Sequence, residues 1–478
     1  MPRDQFKGPV TSRGFVQFKR SIVHSAGRAR VKRKAERLFT RVSYQYPESH
    51  LFYRKLNRRF PCIVRGRGVY LYDAAGKRYL DAAGGAMVAA LGHGVAEIAD
   101  AVAAQMRDVA YVNGTMFTNQ PAEDLAAELA EILPGDLKYS YFLCSGSEAI
   151  EACVKLARQF WCERGAGSKW KVISRTPSYH GNTLAALSLS GREHYRALYG
   201  PLLTAFPRIP APDSYRHPDC EACTGEALEK EILEQGPESV AAFLAEPIIG
   251  SSAGAMVPRD DYYKRVSDIC KKYDLLFIAD EVLAGMGRTG AWFSFEHFGV
   301  VPDIMALGKG LSGGAAPLSA MVAKKEIVAE LAKTSGYFNH AQTYSHTPVI
   351  CAAGLATLRY LKQNRLVERC RGLEGFFFAE LSRLRKQRAV GDIRGKGLLA
   401  GIEFVKDRES KAPFPRSERF AERLVEKGLE NGLILWPNVG HVDGCNGDLV
   451  MLAPPFTITE EQIVELVSLL DLCLEKMG

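Results

Sequence analysis

The chain has 478 residues, 47% hydrophobic and 24% charged, an ordinary globular composition with material for one large and one smaller domain. No apolar run approaches the roughly 18 residues of a membrane span. The 11 cysteines follow no regular spacing and no apolar signal core, which points to free thiols in a reducing compartment such as the cytoplasm. The net charge of +8 belongs to an arm: residues 1–41 hold 12 Lys/Arg and 2 Asp/Glu, while the remainder holds 50 basic and 52 acidic residues. The body therefore gives no electrostatic reason to expect nucleic acid as a partner, and nothing points to a membrane.

Residues 1–45 are read as a basic extension. Arg-rich, acid-poor composition fits either an organellar transit peptide or a surface extension. Residues 46–110 are expected to begin a small domain. There 63–73 and 77–81 alternate about the turn Ala74-Ala75-Gly76, a hairpin pattern. A helix is expected over 95–109, followed by a large domain, 111–344, in which strand and helix patterns alternate, as in a parallel α/β sheet. Its pieces are a helix over 121–132, a strand over 138–143 and a helix opening at Cys144-Ser145-Gly146-Ser147-Glu148. A Gly/Ser turn at a helix N-terminus is either plain capping or an anion site, since free N–H groups and the dipole favour negative charge. The strand 171–174 leads to Tyr179 and His180, and the fully apolar run 240–245 ends on Glu246. Two further runs end on charged residues: 275–279 on Asp280, and 302–308 on Lys309 with the Gly-rich 310–314 after it. Buried parallel strands read this way, and ligands sit beyond their carboxyl ends, so an acid and an amine are expected side by side.

Two other motifs draw different readings. His217-Pro218-Asp219-Cys220-Glu221-Ala222-Cys223 has soft ligands but only half of a four-ligand zinc site, so no metal is expected. Gly285-Met286-Gly287-Arg288-Thr289-Gly290 matches a dinucleotide fingerprint, yet the following residues are not amphipathic and Lys309 stands near the place of the expected acid. Residues 345–478 return to the small domain, with a long helical run over 349–384, a strand-like segment around Arg394, a strand over 448–452 and a helix from about 459. Arg394 lies between apolar strand residues and a Gly turn. Its planar fork suits a bound carboxylate or, equally, a structural ion pair.

The strings IADEV, GMGRTG and ALGKGLSGG, in this order, resemble the class III aminotransferases, the ω-aminotransferase branch of the fold-type I pyridoxal 5′-phosphate (PLP) enzymes. The resemblance covers roughly residues 46–478. It implies a mainly parallel seven-stranded sheet in the large domain and a smaller α+β domain built from both chain ends. It implies that Lys309 carries PLP through a Schiff base and moves the proton, and that Asp280 keeps the ring nitrogen protonated. It places Ser145, Gly146 and Ser147 at the cofactor phosphate, Tyr179 on the ring, and His180, Glu246 and Val282 beside it. Thr343 would reach the phosphate of the partner subunit, in a homodimer or dimer of dimers with shared sites. Arg394, Ala86 and Met87 would face the substrates, an amine donor and a 2-keto acid. Relatives that use 2-oxoglutarate often carry Glu just after the glycine at 250, and here that position is Ser251, which favours a small acceptor such as pyruvate. A terminal amine, an ω- or β-amino acid or a taurine-like amine is the expected donor. An aminomutase, racemase or lyase of the same family, or a basic-arm binding protein with a dormant cofactor fold, are the alternatives.

Overall fold

A computed structural model describes residues 41–218 and 220–477. The basic extension lies outside the described residues up to position 40, as does Asp219 in the Cys/His loop. The chain divides into two compact units. In the first, described from residue 41 to 64 and over 72–77, Ser43–Tyr44 pairs antiparallel with Phe60–Pro61, and the turn at 73–77 closes through Asp73, whose carbonyl accepts from the Gly76 amide.

The second unit, residues 65–71 and 78–478, contains the seven-stranded sheet. Its strands are β1 (Leu137–Leu143), β2 (Lys171–Thr176), β3 (Arg208–Pro210), β4 (Val240–Ala245), β5 (Leu276–Asp280), β6 (Ile304–Leu307) and β7 (Ser319–Lys324), in the order β1-β7-β6-β5-β4-β2-β3. Only β7 opposes its neighbours, pairing antiparallel with β6 and β1. Every residue of β4, β5 and β6 is buried. That is why these strands read as continuous apolar runs: helices cover both faces of such a sheet and leave no polar face.

A second sheet holds β8 (Val390–Lys396), β9 (Leu399–Phe404), β10 (Trp436–Val439) and β11 (Asp448–Leu452), antiparallel in the order β8-β9-β11-β10. Residues 65–67, 70–71, 78–81 and 433–434 contribute to a third. The single strand expected over 63–73 is interrupted at Gly68. There φ is +56°, and the backbone bonds to His93 in both directions.

The helices follow their caps. Asn119 caps α1 (Gln120–Ile132) and accepts from the Ala122 amide at 3.1 Å. α2 (Gly146–Glu163) starts at Ser145 and buries Ala149, Ile150, Cys153, Leu156, Ala157 and Phe160, a stripe at helical spacing. The run expected to be one helix over 349–384 is two, α3 (Pro348–Gln363) and α4 (Leu366–Ser382). They part at Arg365, whose φ of +50° no α-helix accommodates, a break that apolar periodicity does not announce. α5 (Glu460–Glu475) opens with a capping box between Thr459 and Gln462. No helix among the described residues is long and apolar enough to cross a membrane.

Phe243 is fully buried on central strand β4, and its ring stacks on Phe277 of β5 at 5.9 Å. Phe243→Ala is expected to cost about 3–5 kcal/mol, read as a lower melting temperature. An unchanged melting temperature would remove this pair from the core that supports the sheet.

Candidate active site

The carboxyl edge of the large sheet gathers the charged residues. In the parallel register Ala279 of β5 pairs with Ala245 of β4, and Asp280 pairs with Ala306 of β6. Glu246, the residue after β4, is therefore level with Asp280. Lys309 follows one glycine after β6, with φ at +39°, a left-handed conformation that non-glycine residues rarely adopt and that clusters at functional sites.

These groups hold one another. His180 Nδ1 lies 2.8 Å from Asp280 Oδ2, and because a carboxylate oxygen accepts, Nδ1 carries the hydrogen. Asp280 Oδ1 accepts from the Val282 amide at 3.1 Å, and the His180 amide donates to Ser190 Oγ at 2.8 Å. The other ring nitrogen of His180, Nε2, is buried with no hydrogen-bond partner among the described residues. Glu246 takes the Tyr179 amide on Oε1 at 3.0 Å and the Gly250 amide on Oε2 at 2.8 Å. Burial pushes the Glu246 carboxyl above its usual range, His180 opposes the shift, and Asp280 adds to it. Burial also lowers the Lys309 amine; Asp280 and Glu246 pull it back, and Arg192 pushes it further down.

Between these groups lies a cavity of about 180 Å³. Gly146, Ser147, Tyr179, His180, Glu246, Asp280, Val282 and Lys309 line it, all residues singled out by sequence, together with Ser251. Ser145 is not a wall. It caps α2, accepting from the Glu148 amide at 3.3 Å, and so leaves the first-turn amides of Gly146 and Ser147, which have no intrahelical acceptor, at the cavity. A Cβ on Gly146 would stand 2.8 Å from Val282 Cγ1, so only glycine keeps this cradle open.

Other expected residues lie elsewhere. Thr343 is exposed and is not a wall in the single chain. Met87, with φ at +59°, packs in an apolar cluster with Ile248, Leu283 and Leu399, and neither it nor Ala86 lines the cavity. Arg394 lines a separate cavity of about 360 Å³ with Asp213, Tyr215 and Asp392. Its Nη1 lies 2.7 Å from Glu403 Oε2 and 3.0 Å from Asp392 Oδ2, and its Nη2 donates to the Ala253 carbonyl at 2.7 Å. Burial acts against the Glu403 charge, but His441, Arg394 and Arg216 together hold its carboxyl far below the usual range. Of the two roles the sequence left open for this arginine, the structure displays the ion pair. In the Cys/His loop the thiols of Cys220 and Cys223 stand 3.3 Å apart, and no cluster of three or more metal-binding side chains occurs among the described residues. The GMGRTG segment forms turns, and Arg288 donates to the carbonyls of Leu398 and Pro454.

Sequence reasoning missed three residues. Gly181 and Leu283 line the cavity, and Arg192 stands behind Tyr179 with its guanidinium carbon 4.8 Å from the ring centroid. Gly181 followed a flagged histidine and was within reach. Arg192 was not, because Ser251 and Asn438, to which its guanidinium donates, are 59 and 246 residues away.

Comparison with known proteins agrees with this geometry. The family model Aminotransferase class-III matches residues 53–474. YodT, an uncharacterized aminotransferase of Bacillus subtilis, is 40% identical over 427 residues, covering 88% of this chain and 96% of its own. The putrescine–pyruvate aminotransferase of Pseudomonas aeruginosa is 35% identical over 438 residues, covering 89% and 92%. A crystal structure of a thermostable (S)-enantioselective omega-transaminase from Thermomicrobium roseum matches with a TM-score of 0.84 and 35% identity, covering 90% of this chain and 96% of that one. The chain belongs to the class III aminotransferases. It is a transaminase of fold type I, and its cofactor is PLP.

The cavity fits that cofactor. A glycine cradle at a helix N-terminus suits its phosphate, a buried acid suits its ring nitrogen, and an amine suits its aldehyde. Gly146→Val drives a branched side chain against Val282. The purified variant is expected to lose most of its PLP on gel filtration, measured by visible absorbance, while its circular dichroism matches the parent. Full retention of PLP would show that the cradle lies elsewhere.

Proposed function

We propose that this class III aminotransferase moves an amino group from a terminal amine, an ω- or β-amino acid or a taurine-like amine to a small 2-keto acid, with pyruvate as the preferred acceptor. The observation that carries this is Ser251. It lines the Lys309 cavity with a small neutral side chain, so no carboxylate at this position stands ready to pair with an arginine and discriminate between acceptors. A relative named for putrescine and pyruvate supports the same pairing of donor and acceptor.

In this reading bound PLP supplies an electron sink at the substrate carbon. The chain's residues do the rest. Lys309, lowered by burial and with its side chain launched from a left-handed backbone, holds the cofactor and carries a proton to and from the substrate carbon. Asp280 holds a proton on the ring-nitrogen side, and His180 fixes the orientation of that carboxylate at 2.8 Å. The Tyr179 ring forms one face, and Glu246 pins its backbone at 3.0 Å. The first-turn amides of α2 receive the phosphate. Thr343 is exposed and so available to complete the site of a second copy in a homodimer.

Borohydride reduction of the PLP-loaded protein is expected to fix the cofactor on Lys309, located by peptide mass mapping, and Lys309→Ala should lower turnover by 10² to 10⁴ or more. A cofactor fixed on another lysine would end this assignment. In a screen of amine donors, pyruvate should support turnover and 2-oxoglutarate should not; the reverse order would end the acceptor assignment. The receptor role of Arg394 requires a substrate carboxylate to displace Asp392 or Glu403 from its fork. Arg394→Lys should then raise KM for pyruvate about tenfold or more and leave KM for an uncharged-tail amine donor unchanged. A variant that loses thermal stability at unchanged KM would leave Arg394 as an ion-pair partner alone.

A further inference from the structure

Arg192 lies where three distant parts of the chain meet. Its Nη2 donates to the Ser251 carbonyl at 2.8 Å, to Ser251 Oγ at 3.2 Å and to Asn438 Oδ1 at 2.8 Å. The Asn438 amide nitrogen in turn donates to the Ser252 carbonyl at 3.1 Å, so one asparagine on β10 clamps both the arginine and the turn after Glu246. The guanidinium also faces the Tyr179 ring at 4.8 Å. Tyr179 and Ser251 are both walls of the Lys309 cavity, and Arg192 is not. The arginine thus ties together two wall elements without itself lining the cavity. A fork with several donors and a flat face suits this task, and a lysine, a point charge on a flexible stem, has neither.

Its charge matters as well. Desolvation lowers the guanidinium's own affinity for a proton, with Tyr195, Tyr179 and Glu246 opposing. Among the charged groups influencing Lys309, Asp280 and Glu246 favour the ammonium and Arg192 disfavours it. Of the other walls, the His180 ring is hydrogen-bonded to Asp280, and the Tyr179 backbone amide donates to Glu246.

We propose that Arg192 is a positioning residue of the transamination site: its clamp on Ser251 and Asn438 and its stack on Tyr179 hold the cofactor platform. This rests on Lys309 being the cofactor lysine, so the borohydride adduct of the parent protein is mapped first. An adduct on another lysine would overturn both readings, whereas an adduct on Lys309 with variants that behave as the parent overturns this one alone.

The test uses PLP-loaded protein and three variants. Arg192→Met should weaken PLP retention about tenfold, in line with the loss of a desolvated cation–ring contact, and should move the midpoint of the pH-dependent change in visible absorption upward, because a neighbouring positive charge is gone. Arg192→Lys keeps the charge and should leave that midpoint in place, while PLP retention falls. Asn438→Leu removes a clamp acceptor but not the charge, so it too should weaken retention without moving the midpoint. The proposal is overturned if Asn438→Leu and Arg192→Lys both retain PLP as the parent does, or if Arg192→Met leaves the midpoint unmoved. If Arg192→Met fails to fold, the other two variants decide the matter through retention alone.

Discussion

The hydrogen-bonded pairing of parallel strands β4, β5 and β6 is the constraint on which the site depends. Because Ala245 pairs with Ala279 and Asp280 with Ala306, the three strands end nearly level, and each chain continuation emerges at the same edge. Two carboxylates and an amine are thereby brought to one buried cavity. A slip of one residue in either pairing would turn Asp280 or its neighbours to the other face of the sheet and dissolve the arrangement. The apolar composition of these strands up to Asp280 at the end of β5 is the means of enforcing it, since a polar residue in their interior would be stranded between two helical layers.

Collecting like charges in a dry space has consequences that the local hydrogen bonds manage. Glu246 spends both oxygens on backbone amides, which fixes its position and so the start of the Tyr179 segment. Asp280 spends one oxygen on the Val282 amide and one on His180. Neither acid forms an ion pair with Lys309 among the described residues, and burial prevails over their attraction in setting the lysine's proton affinity. The result is an amine beside acids that is nonetheless easier to deprotonate than an exposed lysine, a combination suited to a nucleophile and proton carrier.

The second charge cluster works differently. Glu403 receives Arg394, Arg216 and His441 at once, and Arg394 also reaches Asp392 and the Ala253 carbonyl. Removing one member of such a set leaves the others uncompensated in a low-dielectric interior, which is costlier than the pair was favourable. The cluster also anchors the turn that carries Ser251 to Ala253, so it supports the neighbouring cavity through the backbone.

Much of this was legible in the residues. The apolar runs announced the buried strands, their terminal Asp280, Glu246 and Lys309 announced the ligand edge, and Ser145-Gly146-Ser147 announced the helix that opens onto it, because each signal lies within a few consecutive positions. The break at Arg365 and the interruption at Gly68 were not legible, since both are backbone conformations that apolar periodicity passes over. Nor could the sequence decide what Arg394 holds or that Arg192 stands behind Tyr179. Some partners are near in sequence, Asp392 and Glu403 for Arg394 and Tyr179 for Arg192, but Ala253, Ser251 and Asn438 come from segments far along the chain, and which side chains meet across such distances is settled only when the sheets and their connecting turns are packed.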